Sequence, residues 1–136
     1  MKGLKIGLWV AQGLLAFAFT GAAMMKLTQP WGTLAASQAW VKLFSPEVVK
    51  LIGVVELLGA IGLIVPSVTR ILPVLTPLAA GGLVLTMVGA GVTHVRVGEP
   101  PVVNVVLGGL AAFVAWGRLK KAPITARGAS PSAAAA

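Results

Sequence analysis

From Leu51 to Pro66 the chain reads Leu-Ile-Gly-Val-Val-Glu-Leu-Leu-Gly-Ala-Ile-Gly-Leu-Ile-Val-Pro, an apolar stretch that holds one carboxylate, Glu56. Hydrocarbon suits such a run, and a charge buried there costs at least ~2.5 kcal/mol on insertion scales. An acid at that depth therefore points to packing or to function. Three more runs of the same kind accompany it, Ile6 to Met25, Pro73 to His94 and Val102 to Arg118. At ~1.5 Å per residue, each approaches or exceeds the thickness of a ~30 Å hydrocarbon core. Only 10% of the residues are charged, against about 25% in soluble domains. So few polar residues cannot coat a soluble core of 136 residues. The expected fold is all-α, an integral membrane four-helix bundle in one domain, residues 1–118. Its spans are expected at about 6–25, 47–65, 73–94 and 102–118, and residues 119–136 form a disordered basic, Ala-rich tail.

Local signals place the ends of these helices. Gly21-Ala22-Ala23 imitates a signal-peptide cleavage site, but the run before it is long for that purpose and matching spans follow, so it reads as a transmembrane helix. Ser45-Pro46-Glu47 starts the second span with a capping hydroxyl, a proline at the first helical position and an acid at the positive dipole end. Pro66 is expected to stop that span, and Pro77 to bend the third. Between the first two spans, Trp31 to Phe44 reads as a short interfacial helix or ordered loop with its tryptophans at headgroup level.

The charge pattern sets orientation and excludes several chemistries. A net charge of +8 in a soluble chain would suggest nucleic acid. Here the basic residues flank apolar runs, so the lipid bilayer is the expected partner and nucleic acid is not. Lys2, Lys5, Arg70, Arg118, Lys120, Lys121 and Arg127 fall on one side, and Lys26, Lys42, Lys50 and Arg96 on the other. That bias places both termini in the cytoplasm. Cysteine is absent, which removes thiolate and disulfide chemistry, and the single histidine cannot supply paired haem ligands. No cluster has metal-ligand spacing and no glycine-rich loop is of phosphate-binding type, so neither a metal nor a covalently bound cofactor is expected.

Two polar groups remain as candidate ligand-binding or polar-core residues. Glu56 lies near the midplane on the side of Gly53 and Ala60, where a neighbouring helix can approach. By depth its expected partner is Gln12, or else Thr86; no base falls at that level, which predicts a neutral acid. Lys26, His94, Arg96 and Glu99 gather at the outer helix ends, together with Glu47, Lys50 and Asn104. His94 there can exchange protons near neutral pH. Interfacial ion pairs of little energetic weight are the competing reading for that group. An expected depth gap of ~16 Å separates Glu56 from His94 and argues against one compact catalytic site.

Gly53-x-x-Glu56-Leu57-Leu58-Gly59-Ala60-x-Gly62-Leu63-x-x-Pro66, Thr76-Pro77-Leu78-Ala79-Ala80, His94-x-Arg96-x-Gly98-Glu99 and the Lys26-Leu27 helix end occur in that order. Together they resemble the DoxX-like family of small bacterial four-helix membrane proteins, over about residues 5 to 118. The resemblance implies a bacterial cytoplasmic (inner) membrane protein, and an accessory role beside a membrane or peripheral redox partner subunit. Lys26, Glu56, His94, Arg96 and Glu99 match the motif positions, and a quinone is the ligand the resemblance implies. The expected function is thus an accessory subunit that binds a small, quinone-like lipophile, without autonomous catalysis. Two alternatives stay open: a small membrane enzyme such as an isomerase using Glu56/His94 proton transfer, and a purely structural or assembly partner.

Overall fold

The computed structural model describes residues 1–129, and the regular secondary structure among them is all helical. Helix α1 (Lys2–Thr28) leads through a short α2 (Trp31–Ser37) and a 3₁₀ turn (Ala39–Leu43) into α3 (Pro46–Thr69). Then follow α4 (Leu75–Arg96), α5 (Val102–Trp116) and one turn of π-helix, Gly117–Lys121. Four helices are long and apolar enough to cross a membrane: α1, α3, α4, and α5 with its π turn. Short connections make neighbours antiparallel. The helices pack in a ring, α1 on α3, α3 on α4, α4 on α5 and α5 on α1.

Inside the ring, Leu15, Phe19, Leu63, Leu83, Met87 and Val114 form the core with alanines between them. Large apolar side chains cover the outside instead; Phe17 is 84% exposed and Leu85 75%. An apolar exterior of this extent is the surface of a protein solvated by lipid. Small residues let the backbones close up. A Cβ at Gly62 would stand 2.7 Å from the Ala79 Cβ, and one at Gly59 would stand 2.6 Å from Leu83 Cδ2.

Helix α3 begins as its sequence signals suggest, with the Ser45 hydroxyl accepting from the Val48 N–H. It does not stop at Pro66. The helix continues to Thr69 and ends where Arg70 turns left-handed (φ 59°). Proline at 66 has no N–H to give the Gly62 carbonyl four residues back. The Thr76 hydroxyl supplies that hydrogen bond from α4, at 3.1 Å. Pro77, expected to bend its helix, falls in the first turn of α4, where a missing N–H breaks no intrahelical bond.

The connection from α1 to α3 is two short helical pieces broken at an extended Gln38 (φ −132°). Trp31 donates from its indole to the Phe44 carbonyl and closes the segment on itself. Trp40 does not sit at the surface with Trp31; it turns inward, only 9% exposed. With Leu34, Val41, Val49, Phe44 and Ile52 it makes a second apolar cluster over the first turns of α3. At the opposite end, the tail expected to start at Leu119 is instead helical through Lys121. Residues 122–127 then cross to the end of α3, where Arg70 Nε donates to the Thr125 carbonyl and Arg127 Nε to that of Thr69. Residues 130–136 lie outside the described residues.

Candidate functional site

Gly53 sets the register of α1 against α3. A Cβ there would lie 3.0 Å from the Lys26 Cβ and 3.3 Å from the Ala23 carbonyl oxygen, so a side chain at this position would crowd the two helices apart. Glu56 follows one turn later on the same face. Its Oε2 is 2.9 Å from Lys26 Nζ, with the two side chains only 5% and 11% exposed. This contact corrects the expected partner of Glu56, which is Lys26 and not Gln12. The first two turns of α3 reach beyond the end of α1 and are covered by α2 and the 3₁₀ turn, an offset that hydropathy does not reveal. Lys26 is thereby carried down to the level of the acid.

The same register relocates Gln12. Fourteen residues back from Lys26 along α1, it meets the chain fourteen residues on from Gly53 along α3, at Ser67. Its amide nitrogen donates to the Leu63 carbonyl (2.6 Å) and the Ser67 hydroxyl (3.1 Å), and its oxygen accepts from Arg118 Nε (2.7 Å). Ser67 is in turn 2.7 Å from Thr76 Oγ1. Buried side chains from all four spanning helices join in this network, which serves as an interhelical clamp. Ser67 and Arg118 carry no sequence signal beyond being polar residues near helix ends, and Thr76 stands out only as part of the Thr76-Pro77-Leu78-Ala79-Ala80 motif.

His94 and Glu99 are brought together by the way α4 ends. Gly98 is left-handed (φ +80°), the Glu99 N–H bonds the His94 carbonyl and the Gly98 N–H that of Val95. These are the two bonds of a Schellman cap, with glycine at the left-handed position. The cap folds Glu99 back over the ring, and Oε2 lies 2.7 Å from His94 Nδ1. Nε2 has no hydrogen-bond partner among the described residues. Arg96 diverges from its neighbours: it is exposed and lines a separate open groove between α4 and α5.

Lys26, Glu56 and His94 line one cavity of about 540 Å³. The expected depth gap does not separate them, because the cavity runs along α3 and α4 from the ion pair towards the helix ends. Phe19, Phe44, Ile52, Val55 and Leu107 give it apolar walls, and Gln38, Thr86 and Asn104 add polar groups. Trp40 ties the Lys26–Glu56 and His94–Glu99 pairs together. Its ring lies 5.6 Å beneath Lys26 Nζ, a cation–π distance, and its centroid is 6.5 Å from that of His94. Asn104 and Met87, 3.8 Å apart, also line the outer groove and so divide it from the cavity. Volume and lining fit a small-molecule site, apolar with few convergent polar groups. Lys26 supplies an ammonium donor, His94 a ring nitrogen for a donor or acceptor, and the Glu56 carboxylate is an acceptor. Among the described residues no three His, Cys, Asp or Glu side chains group closely enough to hold a metal ion.

Among known families, the model described as the DoxX-like family matches residues 10–117, most of the chain. No curated protein and no solved structure matches it.

Proposed function

The chain belongs to the DoxX-like family, and we propose that this multi-pass membrane protein binds a small lipophilic molecule with a quinone-like ring. It does so as an accessory subunit of a membrane-associated redox system in the bacterial inner membrane. One observation carries this reading: the Lys26–Glu56 pair closes the floor of an apolar-walled cavity inside the bundle. A charge-assisted donor in a dry, aromatic-lined space holds a ring carbonyl more strongly than water does. Trp40 offers a flat face against which a ring can stack. His94, at the other end of the cavity and held by Glu99, is placed to meet a second ring oxygen.

The test is a titration of the protein in nanodiscs with a short-chain benzoquinone, followed by tryptophan fluorescence. The reading expects saturable quenching that is weakened in Trp40→Phe and lost in Lys26→Met. Quenching that rises linearly and equally in all three proteins contradicts it. For orientation, seven basic residues at the end carrying the chain termini support a cytoplasmic location for that end. Because the chain has no cysteine, single cysteines at Ser37 and Lys120 report sidedness cleanly. A membrane-impermeant maleimide added to intact spheroplasts is expected to label the first and spare the second.

A second reading gains from the shared cavity. Glu56 and His94 both face it, so a proton taken up at one end of a bound lipophile and released at the other is an isomerisation. Deuterium entering a bound ligand from solvent, and not in Glu56→Gln, distinguishes that reading from simple binding.

A further inference from the structure

At the end of the bundle opposite the cavity, Arg118 is 95% buried and has no counter-charge among the described residues. Its Nε donates to Gln12 and its Nη1 to the Ala122 carbonyl (3.1 Å), while Nη2 is enclosed without any hydrogen-bond partner among the described residues. Trp9 lies against the guanidinium at 5.1 Å. No carboxylate side chain of the protein is available to it. The sequence has three glutamates and no aspartate. Glu56 is taken by Lys26, Glu99 by His94, and Glu47 begins α3 at the far end. An arginine stays charged, and its planar fork matches a phosphate. Burying it against neutral acceptors alone, with one nitrogen unsatisfied, is an arrangement that native proteins rarely leave incomplete.

The surroundings favour an anion. Lys120 and Lys121 share the π turn with Arg118, and Lys121 reaches over Trp116 at 5.8 Å. Lys5 sits one turn from Trp9 on α1. Beyond Ala122, which is buried and bonded to Arg118 and Gly117, residues 123–126 strap across this end, held where Arg70 meets Thr125 and where the Arg127 N–H meets the Arg70 carbonyl (2.7 Å). Those contacts are exposed hydrogen bonds to backbone, the kind that open first.

We propose that Arg118 is the anchor of a phosphate-binding site, in which a phosphate oxygen meets Nη2 when residues 123–126 move aside, flanked by Lys120 and Lys121. The shared chemistry is a phosphate monoanion or diester, carried either by the headgroup of an anionic phospholipid or by free phosphate. Basic residues that merely flank spans attract anionic lipid diffusely and by surface charge. A buried guanidinium instead makes one specific contact, and that difference is measurable.

The experiment uses the full chain in a neutral detergent and reads its thermal unfolding by tryptophan fluorescence. The probes are phosphatidylglycerol, phosphatidylcholine at the same mole fraction, and sodium phosphate against sodium chloride at matched ionic strength. Phosphatidylglycerol is expected to stabilise the wild type well beyond phosphatidylcholine. Its apparent affinity is expected to fall about tenfold in Arg118→Gln, as for a lost charge-assisted hydrogen bond. The doubly substituted Lys120→Gln/Lys121→Gln chain is expected to keep most of the response. Equal stabilisation by sodium phosphate assigns the site to the free anion; stabilisation by phosphatidylglycerol alone assigns it to lipid. The proposal fails if both lipids act alike and sodium phosphate does nothing. It also fails if Arg118→Gln keeps the full response, or if only the lysine pair matters. Should Arg118→Gln not fold, Arg118→Lys and native mass spectrometry of the wild type decide: no phosphate or phosphatidylglycerol adduct retained on the protein overturns the site.

Discussion

Replacing Lys26 with Met keeps an unbranched apolar stem one atom shorter and removes the charge. At 2.9 Å and an effective dielectric of about 20, the attraction to Glu56 is about 6 kcal/mol before desolvation is counted. Desolvation of both groups offsets much of that in the intact pair, so the pair's net contribution is small. Removing one partner is different, because the other stays buried without compensation. That loss is about 3–5 kcal/mol, and the 5% and 11% exposures leave little solvent to relieve it. The double variant Lys26→Met/Glu56→Leu removes both charges and is expected to lie within about 1 kcal/mol of the wild type. Reversible unfolding in mixed micelles, titrated with denaturing detergent and read by circular dichroism, measures all of these in one double-mutant cycle. If Lys26→Met loses less than about 1 kcal/mol, or if the double variant is no more stable than the worse single one, the pair is not buried as described and the reasoning fails.

Other substitutions probe the packing and the caps. Gly62→Ala brings its new methyl against Ala79, which cannot rotate away, and is expected to cost about 1–3 kcal/mol; Gly82→Ala, with open space around it, is expected to be neutral or slightly stabilising in the same unfolding assay. Gln12→Leu strips the acceptor from Arg118 Nε and the donor from Ser67, for an expected loss of about 1.5–3 kcal/mol, and an unchanged midpoint contradicts the clamp. Ser45→Ala removes a hydrogen bond of 3.4 Å to the Val48 N–H. A bond that long places the cost near the lower end of the usual range for a lost cap, about 0.5 kcal/mol; amide hydrogen exchange over residues 46–50 is the measurement.

What the sequence could show depended on the range of the interaction. The spans, the Ser45 cap and the fold class follow from local composition, and the structure repeats them with ends moved by a few residues. The Gly98-Glu99 turn was legible as a cluster with His94, since a Schellman cap is built from consecutive residues. Helix register was not legible. Hydropathy places each span in the bilayer but says nothing of the sliding of α1 along α3, which Gly53 settles by its missing side chain. That shift exchanges Gln12 for Lys26 as the partner of Glu56. Trp40 and Arg118 were read as interfacial and flanking residues because their types usually are. Both turn inward for a tertiary reason: Trp40 fills the space over the first turns of α3, and Arg118 reaches the one buried amide at its end of the bundle.

The central claim is that the Lys26–Glu56 pair closes a cavity that holds a quinone-like molecule. Photolabelling tests it most directly: the protein in native-like nanodiscs is irradiated with an azido-benzoquinone and the modified peptides are mapped by mass spectrometry. The account predicts saturable modification at cavity residues such as Ile52, Val55, Thr86 and Met87, abolished by excess unlabelled benzoquinone and absent in Lys26→Met. Modification spread over lipid-facing residues such as Phe17 and Val105, insensitive to competitor and to the substitution, contradicts it.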